Sequence, residues 1–141
     1  MVLYLDTSSL VKLYVEEKDS SQIANLVGAS NVTATSLVAY AEARAGFARR
    51  FRERAFTANE YRLLLSSLNE DWGNYLILKV TNELVRRAGD LAEKHALRGF
   101  DAIHLSSAVS LCQDFSAPVV FSCSDRKLQK ASELEDLEQP Q

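Results

Sequence analysis

The chain is poor in cysteine, and this shortage excludes several kinds of stabilised small protein. Its 141 residues contain two cysteines, Cys112 and Cys123, which are too few and too far apart for a disulfide framework, a CxxC motif or a zinc cluster. We therefore expect two buried thiols in a reducing cytosol. With two prolines and five glycines, the chain also shows no linker, repeat or low-complexity segment.

Long apolar runs are missing as well. No run approaches the ~18 apolar residues that a membrane-spanning helix needs. Met1 leads directly into the apolar segment Val2–Leu5, without the basic stretch and longer apolar core of a signal peptide. These patterns predict a soluble, cytoplasmic protein.

An excess of positive charge is also absent. The net charge is −3, so no overall basic field attracts nucleic acid, and a phosphate-bearing substrate must be captured locally by a metal ion or an arginine patch. Hydrophobic residues make up 47% of the chain and charged residues 25%, which is typical of a globular protein. We predict a single domain over residues 1–141, with an acidic tail at 132–141 that frays.

Short β-branched or aromatic runs alternate with longer helical stretches, which predicts an α/β fold with a parallel sheet covered on both faces. Four strands are predicted, at Val2–Leu5, Asn31–Thr35, Tyr75–Val80 and Pro118–Phe121. Helices are predicted at Ser9–Val15, 19–28, Leu37–Arg54, 57–72, 81–99, Ala102–Leu111 and Asp125–Ala131. The third and fourth of these helices form an inserted helical hairpin.

Capping patterns mark several helix ends. Thr57 with Glu60 forms a capping box, and Thr81 precedes another helix. Asp19 with Gln22 resembles a capping pair, and Gly28 is placed where it would end the same helix.

Four acidic residues stand near predicted strand exits and helix starts. Asp6 and Asp125 directly follow the first and fourth strands, where ligands bind in parallel α/β sheets. Glu42 lies among small and apolar neighbours within a helix, and Asp101 lies near the start of another. Each has an ordinary alternative: Asp6 and Asp101 as N-caps, Asp125 in a capping box with Ser122, and Glu42 as a solvated helix residue. The four positions are expected to converge in space. One site shared by all four residues is therefore favoured over four separate explanations.

Convergence of these acids has an energetic consequence. Two carboxylates about 5 Å apart repel each other by roughly 3 kcal/mol at an effective dielectric constant near 20. Protonation or a divalent cation relieves this repulsion. An all-oxygen cluster without cysteine favours Mg²⁺ or Mn²⁺ over Zn²⁺, and such ions position phosphate oxygens and activate water. Phosphodiester hydrolysis is the chemistry that fits best.

Four segments resemble the PIN-domain family, in particular the VapC-type toxins of toxin–antitoxin pairs. They are YLDTSSLVKLY, SLVAYAEARA, HALRGFDAIHLSSA and VVFSCSDRKLQKAS, in family order and spanning essentially the whole chain. The resemblance implies a three-layer α/β/α, Rossmann-like fold with a central parallel sheet of four to five strands. It also implies a Mg²⁺- or Mn²⁺-dependent endoribonuclease, the toxin of a type II toxin–antitoxin pair.

The resemblance further implies roles for individual residues and partners. Asp6, Glu42, Asp101 and Asp125 match the family's acidic metal-site residues, where one or two ions bind. Thr7 and Ser8 match a small polar pair that helps to order the site. Cys123 departs from the family, which commonly has threonine or serine two residues before the last acid, so the anchoring of Asp125 is weaker. RNA as substrate, an antitoxin protein and a homodimer are the implied partners.

Several other residues have two interpretations. Arg49 and Arg50 belong to an arginine-rich helix, which is either a solvated face or a track for the RNA backbone. Arg126 and Lys127 stand beside Asp125 and are the nearer candidates for phosphate contact. His104 follows Asp101 by one helical turn, and a structural role is favoured over that of a general base. Lys12 either faces the cleft or is simply exposed. A stripe formed by Leu63, Leu64 and Leu68 is either core or a dimer surface.

Two rival functions remain. A phosphatase with a nucleophilic aspartate after the first strand commonly has a second aspartate two residues later, but here that residue is Ser8. A catalytically inert PIN-like module that binds RNA or serves as a scaffold is the non-enzymatic alternative. Thermal melting with and without Mn²⁺ separates a working acidic site from an inert one.

Overall fold

The computed structural model describes residues 1–141 and contains one parallel four-stranded sheet. The strands are β1 (Val2–Leu5), β2 (Val32–Ser36), β3 (Leu76–Leu78) and β4 (Val119–Ser122), in the order β3-β2-β1-β4. All pairings are parallel, as predicted. The bounds of β1 agree with the prediction, whereas β2 and β4 lie one residue later and β3 is shorter at both ends.

Seven helices surround the sheet. They are α1 (Thr7–Val11), α2 (Ser20–Ala29), α3 (Val38–Arg52), α4 (Ala58–Trp72), α5 (Asn82–His95), α6 (Gly99–Phe115) and α7 (Arg126–Leu134). The greatest departure from the predicted bounds is α6, which begins three residues earlier and ends four residues later than expected. No helix is both long and apolar enough to cross a membrane.

Two hydrophobic cores fill the two faces of the sheet. On one face, Tyr4 of β1 and Phe121 of β4 pack against side chains of α5, α6 and α7. On the other face, Leu3 and Leu5 of β1 pack against side chains of α1 to α4, with Phe47 of α3 fully buried among them. Alternate residues of β1 therefore serve opposite cores, which is why the strand is apolar throughout. The result is the expected three-layer α/β/α fold.

The leucine stripe of α4 is divided between core and solvent. Leu64 and Leu68 are buried in the second core, whereas Leu63 is 61% exposed. Tyr61 and Trp72 pack at the edge of the same core. The prediction of core therefore holds for part of the stripe.

Two predicted capping features of α2 are wrong. Asp19 occupies the N-cap position, but its φ of 71° is left-handed and its side chain makes no capping hydrogen bond. N-cap residues normally have extended backbone, which aims the side chain at the first helical amides. Gly28 does not end the helix, which continues to Ala29. Ser30 follows, and its hydroxyl donates to the Val27 carbonyl at 2.8 Å, so no left-handed glycine is needed.

The C-terminal segment differs from the frayed tail that was predicted. Helix α7 extends to Leu134, Leu137 is buried, and Glu138 pairs with the outer side of β4. The Phe121 amide donates to the Glu138 carbonyl and the Glu138 amide donates to the Val119 carbonyl, both at 2.9 Å. Backbone pairing with a strand some 18 residues earlier (138 against 120) leaves no local sequence signal.

Both cysteines are free, as the sequence predicts. They are half-buried rather than fully buried. Cys112 packs at the edge of the first core, and its thiol donates to the Ala117 carbonyl at 3.6 Å.

Candidate active site

All four acidic residues line one pocket beyond the carboxyl ends of the strands. Asp6 follows β1 at the centre of the sheet, and Asp125 lies beyond the end of β4. Glu42 belongs to α3 on one face and Asp101 to α6 on the other. The pocket has a volume of about 380 Å³, and its remaining lining residues are Thr7, Ser8, Arg98, His104 and Ser124.

Asp6 is nearly buried and also caps a helix. Its Oδ1 accepts hydrogen bonds from the Ser9 amide at 2.9 Å and the Ser8 hydroxyl at 2.7 Å, so Asp6 is the N-cap of α1. The capping alternative is thus correct for this residue, but it does not compete with a place in the pocket. Only 5% of Asp6 is exposed, and desolvation raises the pKa of its carboxyl above the ordinary value despite those hydrogen bonds.

Glu42 is held by two side chains from other elements. Its Oε1 accepts from the Thr7 hydroxyl at 2.5 Å and lies 2.9 Å from His104 Nε2. Partial burial raises the pKa of the Glu42 carboxyl, but the His104 and Thr7 contacts together lower it below the ordinary value. Glu42 is therefore an anchored carboxylate and not a freely solvated helix residue.

The buried side chain of His104 holds Glu42 in position. Its ring is buried, with Nδ1 at 2.8 Å from the Tyr4 hydroxyl and Nε2 within 3.0 Å of both Thr7 Oγ1 and Glu42 Oε1. A hydrogen on Nε2 satisfies both oxygens, and Nδ1 then accepts from Tyr4. Tyr4 is itself stacked on Phe121, with the ring centroids 5.5 Å apart. The contacts agree with the structural role that the sequence favoured, and they extend it to holding Glu42.

Asp101 is not the N-cap of its helix. Helix α6 begins at Gly99 and Arg98 is the N-cap, so Asp101 lies in the first turn. Its Oδ2 pairs with Arg98 Nε at 3.1 Å, and the Arg98 side chain is 85% exposed. The N-cap alternative for Asp101 is therefore wrong, and its carboxylate is free to face the pocket.

Asp125 is itself the N-cap of α7. Its Oδ2 accepts from the Leu128 amide at 3.2 Å, so it does not close a capping box with Ser122. The Cys123 thiol donates to the Asp125 backbone carbonyl at 3.5 Å and does not touch its carboxylate. Burial, followed by the charges of Asp6 and Asp125, raises the pKa of Cys123 to about 12, which makes it a poor nucleophile.

The four carboxylates share a pattern of partly used oxygens. The hydrogen bonds and ion pairs that each receives from protein groups fall on one oxygen, leaving Asp6 Oδ2, Glu42 Oε2, Asp101 Oδ1 and Asp125 Oδ1 without a protein partner. None of these four atoms is among the fully buried polar atoms that lack a partner. Each carboxylate therefore keeps one oxygen for a solute in the pocket.

The donor set suits a hard dication, although the side chains do not yet surround one. As they stand, no three side chains of His, Cys, Asp or Glu are close enough to hold a single ion. Four carboxylates with free oxygens are the ligand type that Mg²⁺ and Mn²⁺ prefer. Coordination of one ion by three of them therefore requires some of these side chains to rotate.

The predicted RNA-contact residues lie in different places. Arg49 and Arg50 are on α3 outside the pocket, and Arg50 pairs with Glu17. Arg126 and Lys127 follow Asp125 and line cavities that adjoin the pocket.

Sequence reasoning missed two lining residues, Arg98 and Ser124. Arg98 three residues before Asp101 is a visible signal, because that spacing allows an ion pair across one helical turn. Ser124 carries no such signal, because its contacts with Ser8 and Lys12 join segments more than a hundred residues apart.

Comparison with known proteins places this arrangement in a family. The PIN domain family model matches residues 3–134. Ribonuclease VapC45 and ribonuclease VapC49, both from Mycobacterium tuberculosis, are each 34% identical to the chain over 114 residues, covering 78% of this chain and 76% of the relative.

Solved structures share the fold. VapBC2 from Rickettsia felis, bound to a DNA fragment from its promoter, matches with a TM-score of 0.64 at 16% identity over 99% of this chain and 97% of that one. FitAcB from Neisseria gonorrhoeae matches with the same TM-score at 13% identity and the same coverage. A toxin–antitoxin complex from Klebsiella pneumoniae matches with a TM-score of 0.53 at 21% identity over 85% of this chain and 84% of that one.

Proposed function

Since the chain belongs to the PIN-domain family, we propose that it is an endoribonuclease of the VapC toxin type whose hydrolysis of RNA phosphodiester bonds depends on Mg²⁺ or Mn²⁺. The observation that carries the proposal is the single pocket lined by Asp6, Glu42, Asp101 and Asp125. Each of the four offers an oxygen that no protein group engages.

These four carboxylates would hold one or two ions. A bound dication supplies charge for the phosphate oxygens and the leaving oxygen and lowers the pKa of water. The chain supplies the positions: β1 delivers Asp6 to the pocket, and His104 with Thr7 holds Glu42. Because the pKa of Glu42 is lowered and that of Asp6 is raised, Glu42 stays charged more readily than Asp6, and ionised Asp6 gains more from a nearby cation than Glu42 does.

Hydrogen bonds within the pocket set its shape. Ser8 donates to Asp6 and accepts from the Ser124 amide at 3.2 Å, so it ties the β1 exit to the β4 exit. Arg98 covers one oxygen of Asp101 from the exposed side. The largely exposed Arg98 guanidinium is therefore also placed to donate to a substrate phosphate in the pocket.

The proposal includes the partners that the resemblance implies. VapBC2 and the Klebsiella pneumoniae complex support a cognate antitoxin, and we assign this chain to the toxin side of a type II pair acting on RNA in the cytoplasm. The proposal also includes a homodimer, which the family resemblance implies.

Cleavage of RNA by the purified chain tests the proposal. We expect cleavage with Mg²⁺ or Mn²⁺, none with EDTA, and a loss of at least about 100-fold in rate for Asp6→Asn or Asp101→Asn, because each substitution removes a charge that binds the ion. The measurement is the rate of appearance of new RNA ends, and sequencing of those ends identifies the cleavage site.

Asp90→Asn is the matched control, since Asp90 is an exposed residue of α5 that lines none of the cavities described here. Cleavage by Asp6→Asn at the wild-type rate, or cleavage that persists in EDTA, contradicts the metal mechanism. Absence of cleavage by the wild-type chain with either metal favours the inert scaffold instead.

A further inference from the structure

A second cavity lies next to the acidic pocket, and metal binding does not explain it. It has a volume of about 550 Å³ and is bounded by α1, α2, α7, the end of β4 and the C-terminal segment. Ser124 lines both this cavity and the acidic pocket. We call it the side cavity. A solute in the acidic pocket can extend into it past Ser124.

A largely buried cation stands at this junction. The side chain of Lys12 is 11% exposed, and its Nζ donates to Ser124 Oγ at 2.7 Å. The nearest carboxylate is that of Glu17, at 3.9 Å, and its other oxygen is paired with Arg50. A buried ammonium group normally has a close counter-charge. The positive charge of Lys12 is therefore only partly balanced, and it favours an anion at the mouth of the side cavity.

The side cavity is also lined by a second cation and several amides. Arg126 lines the side cavity and is exposed. Gln22, Asn25 and Gln129 supply both hydrogen-bond donors and acceptors. Gln139 also lines the cavity; its Nε2 donates to Ser132 at 2.8 Å, whereas its Oε1 is buried and accepts no hydrogen bond. Because that oxygen is shielded from solvent, the amides that a ligand in the cavity can reach are those of Gln22, Asn25 and Gln129.

Cations and amides together match the two parts of a nucleotide. The cations Lys12 and Arg126 suit a phosphate, and the amides suit the hydrogen-bonding edge of a base. The volume is within the range of about 300–1,000 Å³ typical of small-ligand sites. A base enters such a cavity only when it is unstacked, which selects unpaired RNA.

We propose that the side cavity is a nucleotide subsite, which receives an unpaired RNA nucleotide adjacent to the scissile phosphate. Lys12 and Arg126 contact the phosphate of this nucleotide, and the side-chain amide of Gln129 contacts its base. The proposal rests on the ribonuclease function above, and it assigns the side cavity to the nucleotide next to the cleaved bond.

A smaller cavity continues the path on the other side. It has a volume of about 310 Å³, shares Arg98, Asp101 and Asp125 with the acidic pocket, and is also lined by Lys127. Lys127 Nζ donates to the Ala96 carbonyl at 3.3 Å, which holds the cation at the cavity wall. The acidic pocket thus adjoins two cavities that each carry a cation, Lys12 in one and Lys127 in the other.

Binding of a short fluorescent single-stranded RNA tests the subsite without cleavage. The assay uses the Asp101→Asn variant in EDTA and records fluorescence anisotropy at several salt concentrations. Adding Lys12→Met or Arg126→Ala should weaken binding about tenfold and reduce the slope of log K against log salt by about 0.7 for each phosphate that the variant no longer binds. Duplex RNA of the same sequence should bind more weakly and respond less to either substitution.

The matched controls are Lys79→Met and Arg62→Ala, exposed cations that line none of the three cavities. Affinities equal to those of the controls overturn the subsite. Arg126 is exposed, so Arg126→Ala decides the test if Lys12→Met fails to fold in a thermal melt. If only the subsite is wrong, the wild-type chain still cleaves RNA with metal, but binding does not depend on Lys12 and Arg126. If only the proposed function is wrong, the wild-type chain does not cleave RNA, but binding still depends on Lys12 and Arg126.

Gln129→Ala separates the base contact from the phosphate contacts. This variant should change the relative affinities for the four homopolymeric RNAs and leave the salt slope unchanged, because it removes an amide and no charge. Identical homopolymer preferences for Gln129→Ala and the unsubstituted chain contradict the assigned base contact.

Discussion

Asp6 and Glu42 show how one pocket gives two carboxylates opposite electrostatic properties. Asp6 is desolvated at the end of a central strand, and the pKa of its carboxyl is raised even though Ser8 and Ser9 donate to it. Glu42 is less buried, and His104 with Thr7 lowers the pKa of its carboxyl. Burial therefore dominates for the first residue and local contacts dominate for the second.

Asp6 should lower the stability of the metal-free protein at neutral pH. A raised pKa in the folded state means that Asp6 stabilises the fold below the ordinary aspartate pKa and that this contribution is lost as the pH rises through the folded-state value. Asp6→Asn removes the charge and keeps an efficient N-cap. We expect this variant to unfold at a higher temperature than the wild type at pH 7 in EDTA. Its free energy of unfolding should be higher by about 1.4 kcal/mol for each unit by which folding raises the pKa of Asp6.

Thermal melts of both proteins between pH 3 and 8 measure this difference (conditions roughly spanning the carboxyl titrations). The two curves should converge at the acidic end, where Asp6 is protonated in both the folded and unfolded states. Asp90→Asn is the control and should follow the wild type. A lower unfolding temperature for Asp6→Asn at pH 7 contradicts the desolvation argument.

Residue types and local position were sufficient to find the acids but not their support. The strand-exit rule selects Asp6 and Asp125, and the structure brings them into one pocket with Glu42 and Asp101. Their roles as ion ligands stay predictions. His104 contacts Glu42, and Lys12 contacts Ser124. Both contacts join segments that are distant in the sequence, so no local spacing of residues predicts them.

At the scale of single elements, helix starts were predictable where the cap depends on neighbouring residues. Thr57 and Glu60 form the predicted capping box of α4, with both reciprocal hydrogen bonds present, and Thr81 caps α5 as predicted. Asp19 fails because the chain enters α2 through a left-handed residue. The side-chain type was suitable, but the preceding loop decided the backbone conformation.

Thr57→Ala should destabilise the protein through α4 alone. The substitution removes the hydroxyl that accepts from the Glu60 amide at 3.1 Å, which costs about 1 kcal/mol for a typical N-cap. We expect the unfolding temperature to fall by roughly 3 °C. Chemical denaturation and hydrogen exchange at the first turn of α4 measure the effect.

Ser66→Ala is the control for that substitution, since Ser66 is an exposed residue in the middle of α4 and caps nothing. Its unfolding temperature should equal or slightly exceed that of the wild type, because alanine has the higher helix propensity. An equal loss in both variants shows that the capping box does not stabilise α4.

At the scale of the whole molecule, the site lies between two separate hydrophobic cores. Tyr4 and Leu5 are neighbours on β1 but serve opposite cores, and Asp6 follows them at the edge where the two cores end. Helices from both faces therefore reach the pocket, α3 with Glu42 and α6 with Asp101. The alternation of strands and helices predicted this architecture, since parallel strands need crossover helices.

A dication should stabilise the whole fold by binding the native state alone. At 100 times its dissociation constant, one bound ion adds about 2.7 kcal/mol to the unfolding free energy. We expect Mn²⁺ to raise the unfolding temperature of the wild type and to raise that of Asp6→Asn much less. Differential scanning fluorimetry with increasing Mn²⁺ measures this effect independently of RNA cleavage, and equal shifts in the two proteins contradict a site that includes Asp6.

The pairing of Glu138 with the outer side of β4 also determines how the molecule can meet other chains. The main-chain bonds of Val119 and Phe121 to Glu138 cover that border of the sheet, and the opposite border is β3, which is only three residues long. Borders that are covered or short offer little backbone for a foreign strand to join, so lateral growth into aggregates is disfavoured. Deletion of residues 136–141 would expose β4 and make the chain prone to polymerise through that strand.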